Sequence, residues 1–350
     1  MDLHEHLLGC LLGTAVGDAV GLRREGLSRQ RALRLYGGAP LAPNLLFGRG
    51  FCSDDTEHTQ MVGRALAMSG GDPGQFQTQL ARQFKRWILA LPAGVGFATL
   101  RACLKLLAGF GPDRSSVSSA GNGPAMRAAL LGVSAESETH LRELVRVSTR
   151  LTHVDSRAKE GALAVAKAAR MSASGDHRSP PQFLTDLTAT CSGRELRECL
   201  EEAVSMLAQH KSCQEFANAR GWTNGVSGYV NQTVPAALYC WARSPADFRK
   251  CVESAALLGG DTDTVASIAG AICGANLGAK SIPVEWIEGL KEWPRNVKWM
   301  SELSKALFTC VSQRSVVEPP PMHWIATVPR NCAFVTIVFG LGLRRLLPPY

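Results

Sequence analysis

The chain has 350 residues, of which 45% are hydrophobic and 19% are charged, and its formal net charge is +8. This composition is typical of a globular protein with a large core and excludes the disordered and fibrous classes. Lys and Arg are scattered along the chain rather than gathered in runs with interleaved aromatics, so nucleic acid is neither indicated nor excluded as a partner.

The eleven cysteines include no CxxC pair and lie mostly within apolar runs, a pattern typical of reduced core thiols. The first residues lack the basic region of a secretory signal. No uncharged apolar run reaches the roughly 18 residues that a membrane span needs. We therefore expect a cytoplasmic protein with no membrane partner.

Helical periodicity dominates the sequence and predicts an all-α fold, a compact helical bundle in one domain over residues 1–350. An alternating β-branched segment at residues 332–339 is the exception and predicts a short strand. The predicted helices are, in chain order, residues 7–16, 57–68, 75–89, 158–173, 193–210, 233–241, 246–257 and 264–277.

The first and last of these helices carry small residues at four-residue spacing, which is about one helical turn. Glycine inside a helix costs roughly 1 kcal/mol relative to alanine, and close approach of another backbone is the usual compensation. We therefore expect these two helices to pack against each other and to bring their polar ends together. The stripes consist of Gly9, Gly13 and Gly17, and of Ala266, Gly270, Gly274 and Gly278.

Two segments place carboxylates at the start of a helix. Residues 53–57 read Ser-Asp-Asp-Thr-Glu, and helix capping by itself explains this segment, because Ser and Asp satisfy free N–H groups. Residues 259–264 read Gly-Gly-Asp-Thr-Asp-Thr. One cap needs one side chain, so the second segment has surplus oxygen ligands that favour a cation.

Together the two segments offer an oxygen-only ligand set, which hard divalent ions select and zinc does not. Four converging carboxylates repel each other without a counter-charge, so we expect two divalent ions, Mg²⁺ or Mn²⁺, that lower the pKa of a bound water. The set consists of Ser53, Asp54, Asp55, Asp261, Asp263 and Thr264.

Three further features admit an ordinary structural explanation. Asp18 and Glu25, in the segment after the first glycine stripe, fit solvated loop charges. Residues 121–123 read Gly-Asn-Gly, which is a frequent turn and also a sequence whose backbone N–H groups can approach phosphate oxygens. His153 alone suggests a satisfied core histidine, and Tyr229 a packing residue at a helix entry.

These segments, in this order, resemble the signature of the ADP-ribosylglycohydrolase family, which includes dinitrogenase reductase-activating glycohydrolases and animal ADP-ribosyl-acceptor hydrolases. The similarity runs from about Leu7 to Ala279. Residues 17–25 are similar to the family's opening pattern, with Arg23 where proline is usual. Residues 53–56 resemble its paired-aspartate motif, and residues 259–264 match its Gly-Gly-Asp-Thr-Asp-Thr motif in full.

The resemblance implies a hydrolase that removes ADP-ribose from a modified protein side chain or another ADP-ribosylated acceptor, with ADP-ribose as product. It implies that the six oxygen ligands hold two metal ions and that Glu25 or Asp55 acts as the catalytic base. It also implies the residues that bind the ADP-ribose, which are Gly121, Asn122, Gly123, His153 and Tyr229.

Two alternatives stay open. The first is a non-catalytic ADP-ribose-binding or structural protein, since the same family resemblance extends to crystallins of jellyfish. Retention of six ligand positions and of Glu25 weighs against it, because a structural protein needs no such set of like charges. The second is a metal-dependent phosphoesterase, against which the lack of a strand-loop pattern weighs.

Overall fold

The computed structural model describes residues 2–174 and 178–348. Within those ranges extended segments form isolated bridges but no strand. Two short turns of 3-10 helix lie at Leu22–Arg24 and Ala279–Ser281. The α-helices are α1 Leu3–Gly21, α2 Arg29–Tyr36, α3 Asp54–Ser69, α4 Pro73–Leu89, α5 Phe97–Leu107, α6 Gly123–Met126, α7 Ala129–Ser134, α8 Glu138–Arg150, α9 Ser156–Ala173, α10 Pro180–Thr190, α11 Arg194–Ala208, α12 Cys213–Ala219, α13 Val230–Arg243, α14 Phe248–Ala256, α15 Thr262–Leu277, α16 Val284–Gly289, α17 Val297–Gln313 and α18 Trp324–Arg344.

The all-α prediction is confirmed, and all eight predicted helices are present, with ends that differ by a few residues. The largest difference is at the end of α1, which continues to Gly21. It does so because Gly17 and Gly21 pack against α15 instead of ending the helix. The cysteines are all free, and most are buried, as their apolar surroundings indicate.

The strand predicted at residues 332–339 is wrong, because this segment lies inside α18. Its β-branched and aromatic residues have strand propensity, but propensity yields to packing. Phe334, Ile337 and Leu341 lie on one side of the helix and pack in a small apolar cluster with Leu22 and Leu45. The helical period, and not the strand period, places these three side chains against the body of the protein.

The predicted packing of α1 against α15 is confirmed, and we call this contact the glycine seam. The two helices are antiparallel and almost wholly buried. A Cβ atom on any of the three α1 glycines of the seam would lie 2.1–2.2 Å from a carbonyl oxygen of α15, so no larger residue fits without moving a backbone. The facing pairs are Gly9 with Gly274, Gly13 with Gly270, and Gly17 with Ala266.

The C-terminal helix α18 is apolar, and its stretch Ile325–Arg344 has a mean hydropathy of 1.4. By length and composition alone this stretch is long and apolar enough to cross a membrane, although Arg330 interrupts it. Only 22% of the stretch is buried in the structure. Arg330 is itself buried and paired with Glu292, so the fold satisfies the charge inside the protein.

Candidate active site

The glycine seam ends at the polar residues that the sequence singled out. Because α1 and α15 are antiparallel, the last turn of α1 meets the first turn of α15, and a Cβ on Gly21 would lie 2.4 Å from the carbonyl oxygen of Thr262. The segment after α1 is tied to the same place, since the N–H of Gly26 donates to the carbonyl of Gly260 at 2.8 Å. Glu25 is thereby held beside the second acidic segment.

Asp18 is fully buried in α1 and holds the start of α3. Its carboxylate accepts hydrogen bonds from the backbone N–H groups of Ser53 at 2.8 Å and Thr56 at 3.2 Å, and from the Thr56 hydroxyl at 2.5 Å. The interpretation of Asp18 as a solvated loop charge is therefore wrong, because a buried carboxylate needs such donors. Its place directly after Gly17, inside the small-residue stripe, was the signal for burial.

The first acidic segment caps α3 through Ser53, so its aspartate carboxylates are not used for capping and can bind a ligand in the cleft. The Ser53 hydroxyl accepts from the N–H of Asp55 at 3.2 Å, as the capping interpretation predicts. The carboxylates of Asp54 and Asp55 face the cleft. Asp55 Oδ2 accepts from the hydroxyls of Ser53 and Thr264, both at 3.2 Å. Its buried Oδ1 has no hydrogen-bond partner among the described residues.

The second acidic segment approaches the same place through a backbone that requires glycine. Gly260 has a φ of +77°, and a Cβ there would lie 2.1 Å from the carbonyl oxygen of Val226. Asp261 stands at the cap position of α15 without making a capping hydrogen bond, and its Oδ2 accepts from Asn122 at 2.5 Å. In the described part of the chain, buried Asp263 Oδ1 also has no partner.

The carboxyl groups at the cleft all have a raised pKa, and loss of hydration is the largest cause at each; we call this set the acidic cluster, and it consists of Asp18, Glu25, Asp54, Asp55, Asp261 and Asp263. The pKa of Asp18 is raised to about 6. Glu25 is open to the cleft but closely surrounded by protein, and the charges of Asp261 and Asp18 add to desolvation to raise its pKa to about 7. Desolvation together with neighbouring carboxylate charges raises the pKa values of Asp54, Asp55 and Asp263, and desolvation raises that of Asp261.

The Gly-Asn-Gly turn and His153 form the opposite wall. A Cβ on Gly121 or Gly123 would lie 3.3 Å from the imidazole ring of His153, so the ring lies against both glycines. Burial and the nearby positive charge of Arg127 lower the pKa of His153 to about 3, which keeps the ring neutral. Its Nδ1 is within 2.8 Å of the Thr152 hydroxyl. The wall therefore presents small, uncharged groups to the cleft.

Tyr229 is brought near this wall but does not line the cleft. Its hydroxyl donates to Glu195 and accepts from Arg157 at 3.2 Å, and the Arg157 guanidinium lies 5.6 Å from the ring centre. The phenol is thus engaged outside the cleft. The predicted contact of Tyr229 with the nucleotide stays a prediction.

The segments enclose one cleft of about 550 Å³, a volume typical of small-molecule sites. Ser53 is buried and does not line the cleft. Residues 94–99, which include Phe97 and Thr99, form a further wall that was not predicted. The signal that could have indicated it is Gly94-Val95-Gly96, which has the same Gly-x-Gly spacing as residues 121–123. The predicted site residues that line the cleft are Glu25, Asp54, Asp55, Gly121, Asn122, Gly123, His153, Asp261, Asp263 and Thr264.

Within residues 2–174 and 178–348, no three His, Cys, Asp or Glu side chains are gathered closely enough to form a ready metal site. The chemical type of the donor atoms nevertheless fits a hard cation. They are all oxygens, and two buried carboxylate oxygens, on Asp55 and Asp263, lack partners in the described structure. The raised pKa values indicate that this cluster accepts positive charge readily.

Comparison with known proteins agrees with the resemblance seen in the sequence. Residues 1–316 match the model of the ADP-ribosylglycohydrolase family. An uncharacterised protein of Archaeoglobus fulgidus is 30% identical over 319 residues, which cover 87% of this chain and 97% of that protein. The ADP-ribosyl-[dinitrogen reductase] glycohydrolase of Rhodospirillum rubrum is 27% identical over 298 residues, covering 83% of this chain and 91% of the relative.

The ADP-ribosylhydrolase ARH3 of Bos taurus is likewise 27% identical, over 331 residues that cover 81% of this chain and 89% of the relative. Among solved structures, a chain of an ADP-ribosylglycohydrolase-related protein complex superposes with a TM-score of 0.66 at 28% identity. That match covers 89% of this chain and 99% of the other. Similarity therefore extends over the fold and all the segments that form the cleft.

Proposed function

This chain belongs to the ADP-ribosylglycohydrolase family, and on that premise we propose that it is metal-dependent and that its substrate is an ADP-ribosylated protein side chain. Its activity as an ADP-ribosyl hydrolase, which cleaves a glycosidic bond, follows from the family and its relatives. The R. rubrum relative is named for a protein substrate, and this supports a protein as the acceptor here.

The observation that carries the metal proposal is the convergence of two acidic segments on one cleft with unpaired buried oxygens at Asp55 and Asp263. Buried like charges are costly unless a counter-charge is present. Two divalent ions, Mg²⁺ or Mn²⁺, would supply that charge, orient ribose hydroxyls and lower the pKa of a water. The residues that would hold them are Ser53, Asp54, Asp55, Asp261, Asp263 and Thr264.

Other residues of the cleft would bind the ADP-ribose and accept a proton. The Gly121–Gly123 turn and the neutral ring of His153 form a small, uncharged wall that suits the ribose and phosphates of ADP-ribose. Glu25 has a side chain open to the cleft and a pKa of about 7, which suits a general base. Asp55 is the weaker candidate because its Oδ2 is already held by two hydroxyls.

In the proposed reaction a water attacks the anomeric carbon of the ribose, and Glu25 accepts the proton that this water loses. The bond between that carbon and the acceptor breaks through an oxocarbenium-like transition state. The leaving acceptor takes up a proton from solvent, and Glu25 returns its own proton to solvent, which regenerates the carboxylate. The nearby carboxylates of Asp54 and Asp261 favour the positive charge that develops on the ribose.

The test is release of free ADP-ribose from arginine-linked, serine-linked and nucleic-acid-linked ADP-ribosyl substrates, each with Mg²⁺, with Mn²⁺ and with chelator. We expect release from a protein-linked substrate only when metal is present. Equal release in chelator would refute the metal dependence. Release from nucleic acid alone would refute the protein acceptor, and ADP-ribose binding without any release would support the non-catalytic alternative.

A further inference from the structure

The C-terminal helix α18 lies beyond residue 316, where the family match ends, and yet it and the residue that caps it contact the backbone beside the first acidic segment and the loop that carries Glu25. Near its start, buried Arg330 donates to the carbonyl of Cys52 at 2.5 Å and to Glu292 at 2.7 Å. Cys52 directly precedes the first acidic segment. Asn331 anchors the same turn by donating to the carbonyl of Ala90 at 2.8 Å.

At the other end of α18, Arg345 holds the loop that carries Glu25. Its Nη1 donates to the backbone carbonyl of Glu25 at 2.9 Å, and its Nη2 donates to the carbonyl of Arg23 at 2.8 Å. A planar guanidinium can hold two acceptors in one fixed geometry, which a lysine ammonium does not do. The Arg345 carbonyl in turn accepts from Arg31, so α2 fixes the position of Arg345 itself.

These bonds act on the backbone of Glu25 and leave its carboxylate open to the cleft. The other ties of the loop are backbone hydrogen bonds, including those from the Gly260 N–H to the Leu27 carbonyl at 2.8 Å and from the Leu27 N–H to the Arg24 carbonyl at 3.2 Å. The Glu25 N–H donates to Leu22 at 3.3 Å, and the Gly26 N–H donates to Gly260 at 2.8 Å, with Gly26 in a left-handed conformation at a φ of +73°. Removing Arg345 would therefore leave the Glu25 carbonyl without its charged donor.

We propose that Arg345 is a positioning residue that fixes the backbone of Glu25 at the mouth of the cleft, and that α18 is thereby part of the active-site apparatus of this chain. Arg330 anchors the helix near its start, and the end of the helix places Arg345 against the Glu25 loop. The kinetic consequence rests on the proposed function, whereas the mechanical consequence, a loop held by α18, does not.

Hydrogen exchange of the intact protein, measured by mass spectrometry, tests the mechanical part. In Arg345→Ala we expect the peptide covering residues 22–27 to exchange at least about tenfold faster, with the thermal midpoint nearly unchanged. Arg344→Ala is the matched control, because the Arg344 side chain bonds only to Pro348 among the contacts described for it, and it should leave exchange unchanged. Unchanged protection in Arg345→Ala would overturn the proposal.

Steady-state kinetics test the consequence for catalysis. A misplaced Glu25 should lower kcat about tenfold in Arg345→Ala and leave KM within about twofold, whereas a loss of substrate binding would raise KM instead. Arg345→Lys should recover little of kcat, because one ammonium replaces a two-pronged donor. Full recovery by lysine, or wild-type kcat in Arg345→Ala, would overturn the positioning role. Inactivity of the wild type would refute the proposed function, and faster exchange would still support the hold on the loop.

Discussion

The glycine seam and the cleft are built by the same two helices, α1 and α15, but they contain opposite kinds of residue. Along the seam, residues such as Gly13 and Gly270 bring two backbones into direct contact. Towards the cleft, the same helices carry the buried carboxylates of Asp18 and Asp263, and the charge of Asp18 is one of those that raise the pKa of Asp263. Packing favours the folded state in the first region, and electrostatic repulsion opposes it in the second.

The difference indicates why the seam is so close-packed. A cluster of buried carboxylates with raised pKa values lowers stability at neutral pH, and a rigid frame has to hold it in place. The seam supplies that frame, because movement of α1 relative to α15 is blocked by backbone contact at Gly9, Gly13 and Gly17. Stability and activity are thus assigned to adjacent parts of one helix pair. Separate substitutions should therefore affect them separately.

The largest expected effect is on activity, in Asp263→Asn. Loss of a carboxylate that would hold a metal ion should lower kcat/KM by about a thousandfold, equivalent to about 4 kcal/mol of barrier. Stability should move the other way, because the substitution removes a buried charge that its neighbours repel. In chelator we expect the free energy of unfolding to rise by about 1 kcal/mol in urea titrations.

Ser227→Ala is a suitable control, since Ser227 lies on the rim of the same cleft without being in the acidic cluster. It should change kcat/KM and stability far less than Asp263→Asn. An Asp263→Asn variant that keeps activity, or that is less stable than the wild type in chelator, would contradict the assignment of opposite roles to the cleft and the seam.

The seam is tested by Gly13→Ala. The added Cβ would lie 2.2 Å from the carbonyl oxygen of Gly270, which belongs to the backbone and cannot rotate away. We expect a loss of about 3 kcal/mol or more in the free energy of unfolding, measured by urea titration. A loss below about 1 kcal/mol would show that the two helices can separate, and the seam would then not be the rigid frame.

The pH dependence of the metal-free protein sharpens the comparison further. Carboxyl groups with raised folded pKa values bind protons more tightly in the folded state than in the unfolded state. Their contribution is fully present below their unfolded pKa and is lost as pH rises through the folded values, about 6 for Asp18 and about 7 for Glu25. In chelator, stability should therefore fall, by at most about 1 kcal/mol from these two groups, as the pH rises from 6.5 to 7.5.

The window starts at pH 6.5 because the folded pKa values of His58 and His153 are lowered, so their contribution is lost only as pH falls below the usual histidine range. Thermal or urea unfolding at the two pH values is the measurement. Saturating Mg²⁺ or Mn²⁺ should flatten the dependence, since bound cations stabilise the ionised carboxylates. A slope unaffected by metal would indicate that the carboxylates do not share a cation.

Local patterns made the helices and the seam predictable. Glycine at four-residue spacing indicates both a helical period and the close approach of another backbone. The two acidic motifs indicate where α3 and α15 begin, to within a few residues. What the sequence could not provide depends on contacts between distant segments. The burial of Asp18, the helical state of residues 332–339 and the hold of Arg345 on Glu25 all depend on partners that local pattern does not reveal. The hydrogen bonds of Tyr229 to Glu195 and Arg157 likewise join distant segments, and its predicted contact with the nucleotide stays a prediction.

The smallest expected effect comes from the same substitution made at Gly340 in α18. A Cβ at this position meets nothing within 4 Å, in contrast to the backbone oxygen that it meets at Gly13. Gly340→Ala should therefore raise the free energy of unfolding by up to about 1 kcal/mol through helix propensity alone. If Gly13→Ala lowers the free energy of unfolding and Gly340→Ala raises it under the same conditions, the loss in the seam is due to backbone contact. A loss of stability at Gly340 would instead mean that the outer face of α18 is covered in solution.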